Sequence, residues 1–141
     1  MPTTRSLTSM ALIGLVAWSL ILGSAAPALA DLGDISVGGT WAFRLTRGAA
    51  GLTLEQRTVE VERRIASVLS KTRYRETGVT VAVRPKGRDA AIMVDDVVIV
   101  TVTASDAAGT VVTPFELATQ WGQRLVTGLN KALPDARVHV F

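Results

Sequence analysis

Ala90-Ala91-Ile92-Met93-Val94-Asp95-Asp96-Val97-Val98-Ile99-Val100-Thr101-Val102-Thr103 is the stretch that decides the fold. It holds two apolar runs, the second strongly β-branched, on either side of an acidic pair. Branching at Cβ restricts the side chain in a helix and suits a pleated surface, so both runs read as strands. Aspartate tolerates turn conformations, which makes Asp95-Asp96 the turn of a hairpin. Strict alternation places Val98, Val100 and Val102 on one face, with Ile99, Thr101 and Thr103 on the other.

Upstream, Val79, Val81 and Val83 alternate with Thr80, Ala82 and Arg84, a further strand that Pro85 and Gly87 are expected to end. Further back, Ile35 and Val37 are followed by Gly38-Gly39 and then by Trp41, Phe43 and Leu45 at period two. A glycine pair between alternating runs predicts a tight hairpin, with the aromatic face turned to the core. Between these strands Thr53-x-x-Gln56 has the form of a capping box. Leu54, Val61, Ile65, Val68 and Leu69 follow at helical spacing, with Thr58 filling the stripe, so a helix runs to about Ser70.

Downstream, Thr113-Pro114-Phe115-Glu116 is a second capping box with proline at the first helical position. Leu117, Trp121, Leu125 and Leu129 mark its buried face, Gly122 and Gly128 suit close approach to the sheet, and Pro134 stops it. Val138 and Val140 suggest a short final strand. The expected fold is therefore α+β in the order β-β-α-β-β-α-β, an antiparallel sheet with two amphipathic helices on one face.

The N-terminus reads differently. Arg5 is the only charge before Asp31, and Met10–Gly23 is a mostly apolar run of signal-peptide length. Pro27 then breaks the run, and Ala28-x-Ala30 offers the small residues that a signal peptidase accepts. Residues 1–30 are thus expected to be a signal peptide cleaved after Ala30, and residues 31–141 a single periplasmic or secreted domain. An uncleaved leader would instead make the domain a membrane-anchored subunit.

Without the leader, 14 Lys/Arg face 12 Asp/Glu over 111 residues, a weakly basic balance that does not itself demand nucleic acid or membrane. The chain has no cysteine, so it can use no disulfide and must rely on core burial. The single histidine, His139, excludes a multi-histidine zinc site and reads as an exposed strand residue. No nucleophile elbow, P-loop or dinucleotide fingerprint occurs. Asp89, Asp95, Asp96 and Asp106 match no calcium loop and read as turn and strand-end residues in solvent.

One charge cluster stands out: Lys71, Arg73, Arg75, Arg84, Lys86 and Arg88 lie within an eighteen-residue span, opposed only by Glu76. If the loops meet at one end of the sheet, Arg73, Arg75, Arg84, Lys86 and Arg88 form a positive edge for an anionic envelope surface. Charge of this kind also protects a sheet edge from aggregation. Nucleic acid is not expected as a partner, since the compartment is wrong and Tyr74 alone could stack there.

Three segments carry a family resemblance: Leu54-Glu55-Gln56-Arg57 through Arg63-Arg64-Ile65; Ile92 through Val100 into Thr101-Val102-Thr103-Ala104-Ser105-Asp106-Ala107; and Phe115-Glu116-Leu117-Ala118 through Trp121 and Arg124-Leu125. Together they resemble the N-terminal extramembrane domain found ahead of the pore helices in some bacterial, notably cyanobacterial, proteins of the small-conductance mechanosensitive channel family. The resemblance implies a domain type and a periplasmic side. It transfers no functional residue, and with only Pro134–Phe141 after the second helix, conduction is not expected to carry over. The expected function is a non-catalytic binding or accessory module for an envelope protein or an anionic envelope surface, needing no cofactor. The alternative is a small carboxylate-dependent hydrolase, which requires two converging carboxylates of raised pKa.

Overall fold

A computed structural model describes residues 32–71 and 77–140 of the chain. Residues 1–30, where a signal peptide is expected, and Arg73 and Arg75 lie outside the described residues. The elements are β1 (Asp34–Val37), β2 (Thr40–Arg44), α1 (Leu54–Leu69), β3 (Val79–Lys86), β4 (Asp89–Val94), β5 (Val97–Val102), the single turn α2 (Ala104–Ala107), α3 (Pro114–Ala132) and β6 (Val138–Val140). The class is α+β, but three strands, β3, β4 and β5, stand between the two long helices where the expected order had two, and the single turn α2 is added.

Both capping boxes form. Thr53 Oγ1 accepts from Gln56 N while Gln56 Oε1 accepts from Thr53 N, and Thr113 and Glu116 repeat the exchange. These bonds satisfy N–H groups that every helix start leaves free. Gly38 and Gly39 both take positive φ, 56° and 71°, as a tight hairpin turn requires. Asp95 does the same at 53°, and its carboxylate accepts from Thr80 N at 2.9 Å, tying the β4–β5 turn to β3.

The strands form two sheets rather than one. β1 and β2 are a separate antiparallel pair, and the larger sheet has the order β5-β4-β3-β6. It is antiparallel except for β6, which lies parallel to β3, Val79 opposite Val138. The long helical connection from β5 lets the chain return in the parallel sense. β6 pairs only with Val79–Val81, so β3 is unpartnered on that side further along. A residue without an N–H costs little there, and β3 continues through Pro85 instead of ending at it.

A single core joins the two sheets and the helices. Phe43 and Trp121 stack with ring centroids 4.7 Å apart and planes 7° apart. Around them lie Ile35, Leu45, Val68, Ile92, Ile99, Leu125 and Leu129, all fully buried. Both expected glycine contacts exist, but with different partners. A Cβ on Gly122 would sit 3.2 Å from Val83 Cγ2 of the large sheet, whereas one on Gly128 would sit 2.7 Å from Val37 O of the small one. α3 therefore packs against both sheets.

Two strands depart from simple alternation, each through one extra residue. In β2, Phe43 opposes Ile35 but Trp41 opposes Ser36, so Ala42 is a bulge. Phe43 keeps the core face while Trp41, expected inside, turns outward and is 45% exposed. In β5, Val100 opposes Ile92 but Val98 opposes Met93, which makes Ile99 the bulge. Val98 accordingly leaves the face shared by Val100 and Val102 and is only half-buried. Among the described residues, no helix is long and apolar enough to cross a membrane.

Candidate functional site

Arg84, Lys86 and Arg88 all lie exposed around the β3–β4 turn. Gly78, which follows the Lys71–Thr77 stretch, sits just before the other end of an eight-residue strand. At about 3.3 Å per residue the two ends are roughly 23 Å apart. Of the described basic residues, Arg84, Lys86 and Arg88 therefore gather at the β3–β4 turn, and Lys71 stands just after the end of α1.

Asp106 is not a solvated strand-end residue. It is buried, and both its oxygens accept from Arg57, Nη1 to Oδ1 and Nη2 to Oδ2, each at 2.7 Å. Oδ2 also accepts from Thr103 N and Thr103 Oγ1. Arg57 spends its remaining capacity on Arg47 O and Thr101 O, both at 2.8 Å. A buried pair with every oxygen occupied locks α1 to the end of β5 and to the preceding loop. The bonds commit the pair to a structural role. Asp89 lies near by and accepts from Ala104 N at 3.3 Å, while Asp95 serves the turn. Among the described residues, no group of three acids or histidines is placed to hold a metal ion.

Two surfaces remain. The first is built around Trp41. Its Nε1–H donates to Asp34 Oδ1 at 3.1 Å, and Arg44 clamps the same carboxylate through Nε and Nη2, both at 2.6 Å. These bonds, Arg44 foremost and Trp41 second, hold the Asp34 carboxyl down to about 2 from an ordinary 3.8. The guanidinium of Arg124, from α3, lies over the indole with Cζ 4.9 Å from the ring centroid. Lys131 follows two helical turns later, close to Gly38. Sequence reasoning missed this surface because it carried strict alternation through Ala42.

The second is a groove of about 470 Å³ between the 47–53 loop, α1 and β5. Its apolar wall is made by Ala49, Ala50, Leu52, Val61, Val98 and Val100. Arg64 spans from Glu60 Oε1, at 2.8 Å, to the carbonyls of Val98 and Ile99, at 3.2 and 3.4 Å. The bulge makes this possible by leaving both consecutive carbonyls in reach of one guanidinium. Glu60, gripped by Arg63 and then Arg64, has its carboxyl pulled down to about 2 from 4.5. Lys86 closes the far end of the groove and, among the described residues, has no hydrogen-bond or ion-pair partner.

The signal for Arg57 was present in the sequence. It lies three residues after Leu54 and four before Val61, on the apolar stripe of α1, where an arginine needs a buried partner. No curated protein and no solved structure matches the chain. A family model described as a domain of unknown function, DUF8459, matches residues 34–132, from the start of β1 to the end of α3, and the chain belongs to that family.

Proposed function

We propose that this chain is a non-catalytic binding or accessory module that works outside the cytoplasm and docks on an envelope protein through the Trp41 surface. The observation that carries this reading is the bulge at Ala42, which turns a tryptophan out of the core, where Asp34 and Arg124 fix it. Tryptophan and arginine dominate the binding energy of protein interfaces, and a ring already held in place loses little freedom on docking. Arg124 and Lys131 beside it favour a partner with carboxylates around an apolar contact.

The carboxyls of Asp34, Glu60 and Glu116 are all lowered by their partners. They are anions at neutral pH, with no proton to donate, which favours binding over acid catalysis. The extracytoplasmic setting rests on the leader of residues 1–30 and on the resemblance to a channel's outer domain. The test is retention of proteins from envelope extract by the wild-type chain, by Trp41→Ala and by Arg124→Glu. One set of proteins held by the wild type and lost by both variants supports the reading. Equal retention by all three chains refutes it.

A further inference from the structure

We propose that the groove beside β5, independently of the Trp41 surface, binds an amphiphilic carboxylate with an apolar body and one anionic head. At 470 Å³ it falls within the 300–1,000 Å³ of ordinary ligand sites. Allowing the roughly 30 Å³ that one water occupies for each heavy atom, it has room for about fifteen non-hydrogen atoms.

The body of the ligand follows from the wall. Leu52 and Val98 present apolar surface with the buried Val100 behind them, and Ala49 and Ala50 extend it from a tight turn closed by Leu52 N donating to Ala49 O at 3.0 Å. Ala50 holds φ at 54° in that turn, followed by Gly51 at 80°. A left-handed alanine carries a steric cost that glycine would not. Here the strained residue contributes a methyl to the groove, so the strain coincides with a wall a ligand would touch.

The head of the ligand follows from which polar groups are uncommitted. Of the acids at the groove, Glu60 is committed through both oxygens and Asp89 through Oδ1 alone. Glu60 is held by Arg63 and Arg64, Asp89 accepts from Ala104 N, and Asp106, behind the wall, is saturated by Arg57 and Thr103. Three donors are free of bonds among the described residues: the Lys86 ammonium, Nη2 of Arg64 and the Thr101 hydroxyl. Donors with no acceptor of their own, beside an apolar wall, select an acceptor-only head group such as a carboxylate.

Decanoate, with twelve non-hydrogen atoms, is a suitable probe in a ¹H–¹⁵N NMR titration of the protein. Saturable shifts centred on Ala50, Leu52, Val98 and Thr101 are expected. Lys86→Glu weakens binding at least tenfold, while Arg84→Glu, on the neighbouring strand position but outside the groove, leaves it within twofold. Decanol and inorganic phosphate, each lacking half of the recognised chemistry, bind at least tenfold more weakly. Decylamine binding as well as decanoate overturns the proposal, as do shifts that never saturate, shifts centred on Trp41, or equal affinity of Lys86→Glu and wild type.

Discussion

Replacing Asp106 by alanine leaves the Arg57 guanidinium in a site where that side chain is 6% exposed. The variant also removes the acceptor of Thr103 N and Oγ1. Breaking a buried pair from one side costs about 3–5 kcal/mol, because the surviving charge stays in a medium that solvates it poorly. A domain of this size has a total stability of about 5–15 kcal/mol, so the change takes a large share of it. At about 4 °C per kcal/mol, the melting temperature falls by about 12–20 °C. Arg57→Ala is milder for charge, since Asp106 keeps the Thr103 N–H, but it strips donors from Arg47 O and Thr101 O at about 1–3 kcal/mol each if they stay dry. In the double variant the unpaired charge disappears. The double-mutant cycle should return a coupling of about 2–3 kcal/mol, the double variant being that much more stable than the sum of the singles. Urea unfolding followed by circular dichroism, with Trp121 on Phe43 as the fluorescent reporter, measures all four proteins. Strict additivity, or an Asp106→Ala cost below about 1 kcal/mol, refutes the claim that this pair locks α1 to β5.

Acid provides a second check. Asp34 and Glu60 have folded pKa values near 2, below the unfolded 3.8 and 4.5, so their stabilisation is complete above about pH 5 and disappears as pH falls towards 2. Glu60→Gln should flatten that part of a melting-temperature profile taken from pH 6 to 2, and an unchanged slope would count against the arginine clamp. Gly128→Ala forces a methyl against Val37 O and should cost about 1–3 kcal/mol in chemical denaturation, more than Gly122→Ala, whose methyl meets a movable Val83 side chain. Phe43→Ala should cost about 3–5 kcal/mol and Trp41→Ala under about 1.5, measured the same way; similar values for both would mean that Trp41 is a core residue after all.

Much of the architecture was legible because it rests on local chemistry. Thr53 with Gln56 and Thr113 with Glu116 announce helix starts through bonds made within four residues. Gly38-Gly39 and Asp95-Asp96 announce turns through the φ angles these residues tolerate. What stayed hidden depends on distant partners. The direction of β6 is set by how the chain returns over α3 to meet Val79, and no residue of Val138–Val140 encodes it. Arg57 and Asp106 are 49 positions apart, so although the place of Arg57 on the apolar stripe calls for a buried partner, nothing local names Asp106 as that partner. Of the positive edge expected from spacing, Arg84, Lys86 and Arg88 are exposed around the β3–β4 turn, while Arg73 and Arg75 lie outside the described residues.

The remaining differences have one cause, and it bears on function. Alternation errs at Trp41 and at Val98, and in both cases a single unpaired residue, Ala42 or Ile99, shifts the register. Both bulge residues, Ala42 and Ile99, are fully buried in the core, but their burial is not all that the bulges do. Without the first, Trp41 would sit on the Phe43 side of β2; without the second, Val98 would share the face of Val100. Each bulge also delivers a group to a surface, the indole to the Asp34 and Arg124 cluster and two carbonyls to Arg64. Bulges concentrate where a strand must re-aim a side chain, at edges and beside binding sites. Here the two bulged strands border the two candidate surfaces, and the large sheet's remaining ladders, β3 with β4 and β3 with β6, run without a register shift. Ala42 therefore offers a sharper test than any side chain. Inserting one residue between Ile35 and Ser36 gives Ala42 a partner and removes the bulge; plain alternation then turns Trp41 to the Phe43 face, where it must either overpack the core or break the hairpin. An insertion variant as stable as wild type, with Trp41 fluorescence still that of an exposed ring, would show that the bulge is not what places the indole.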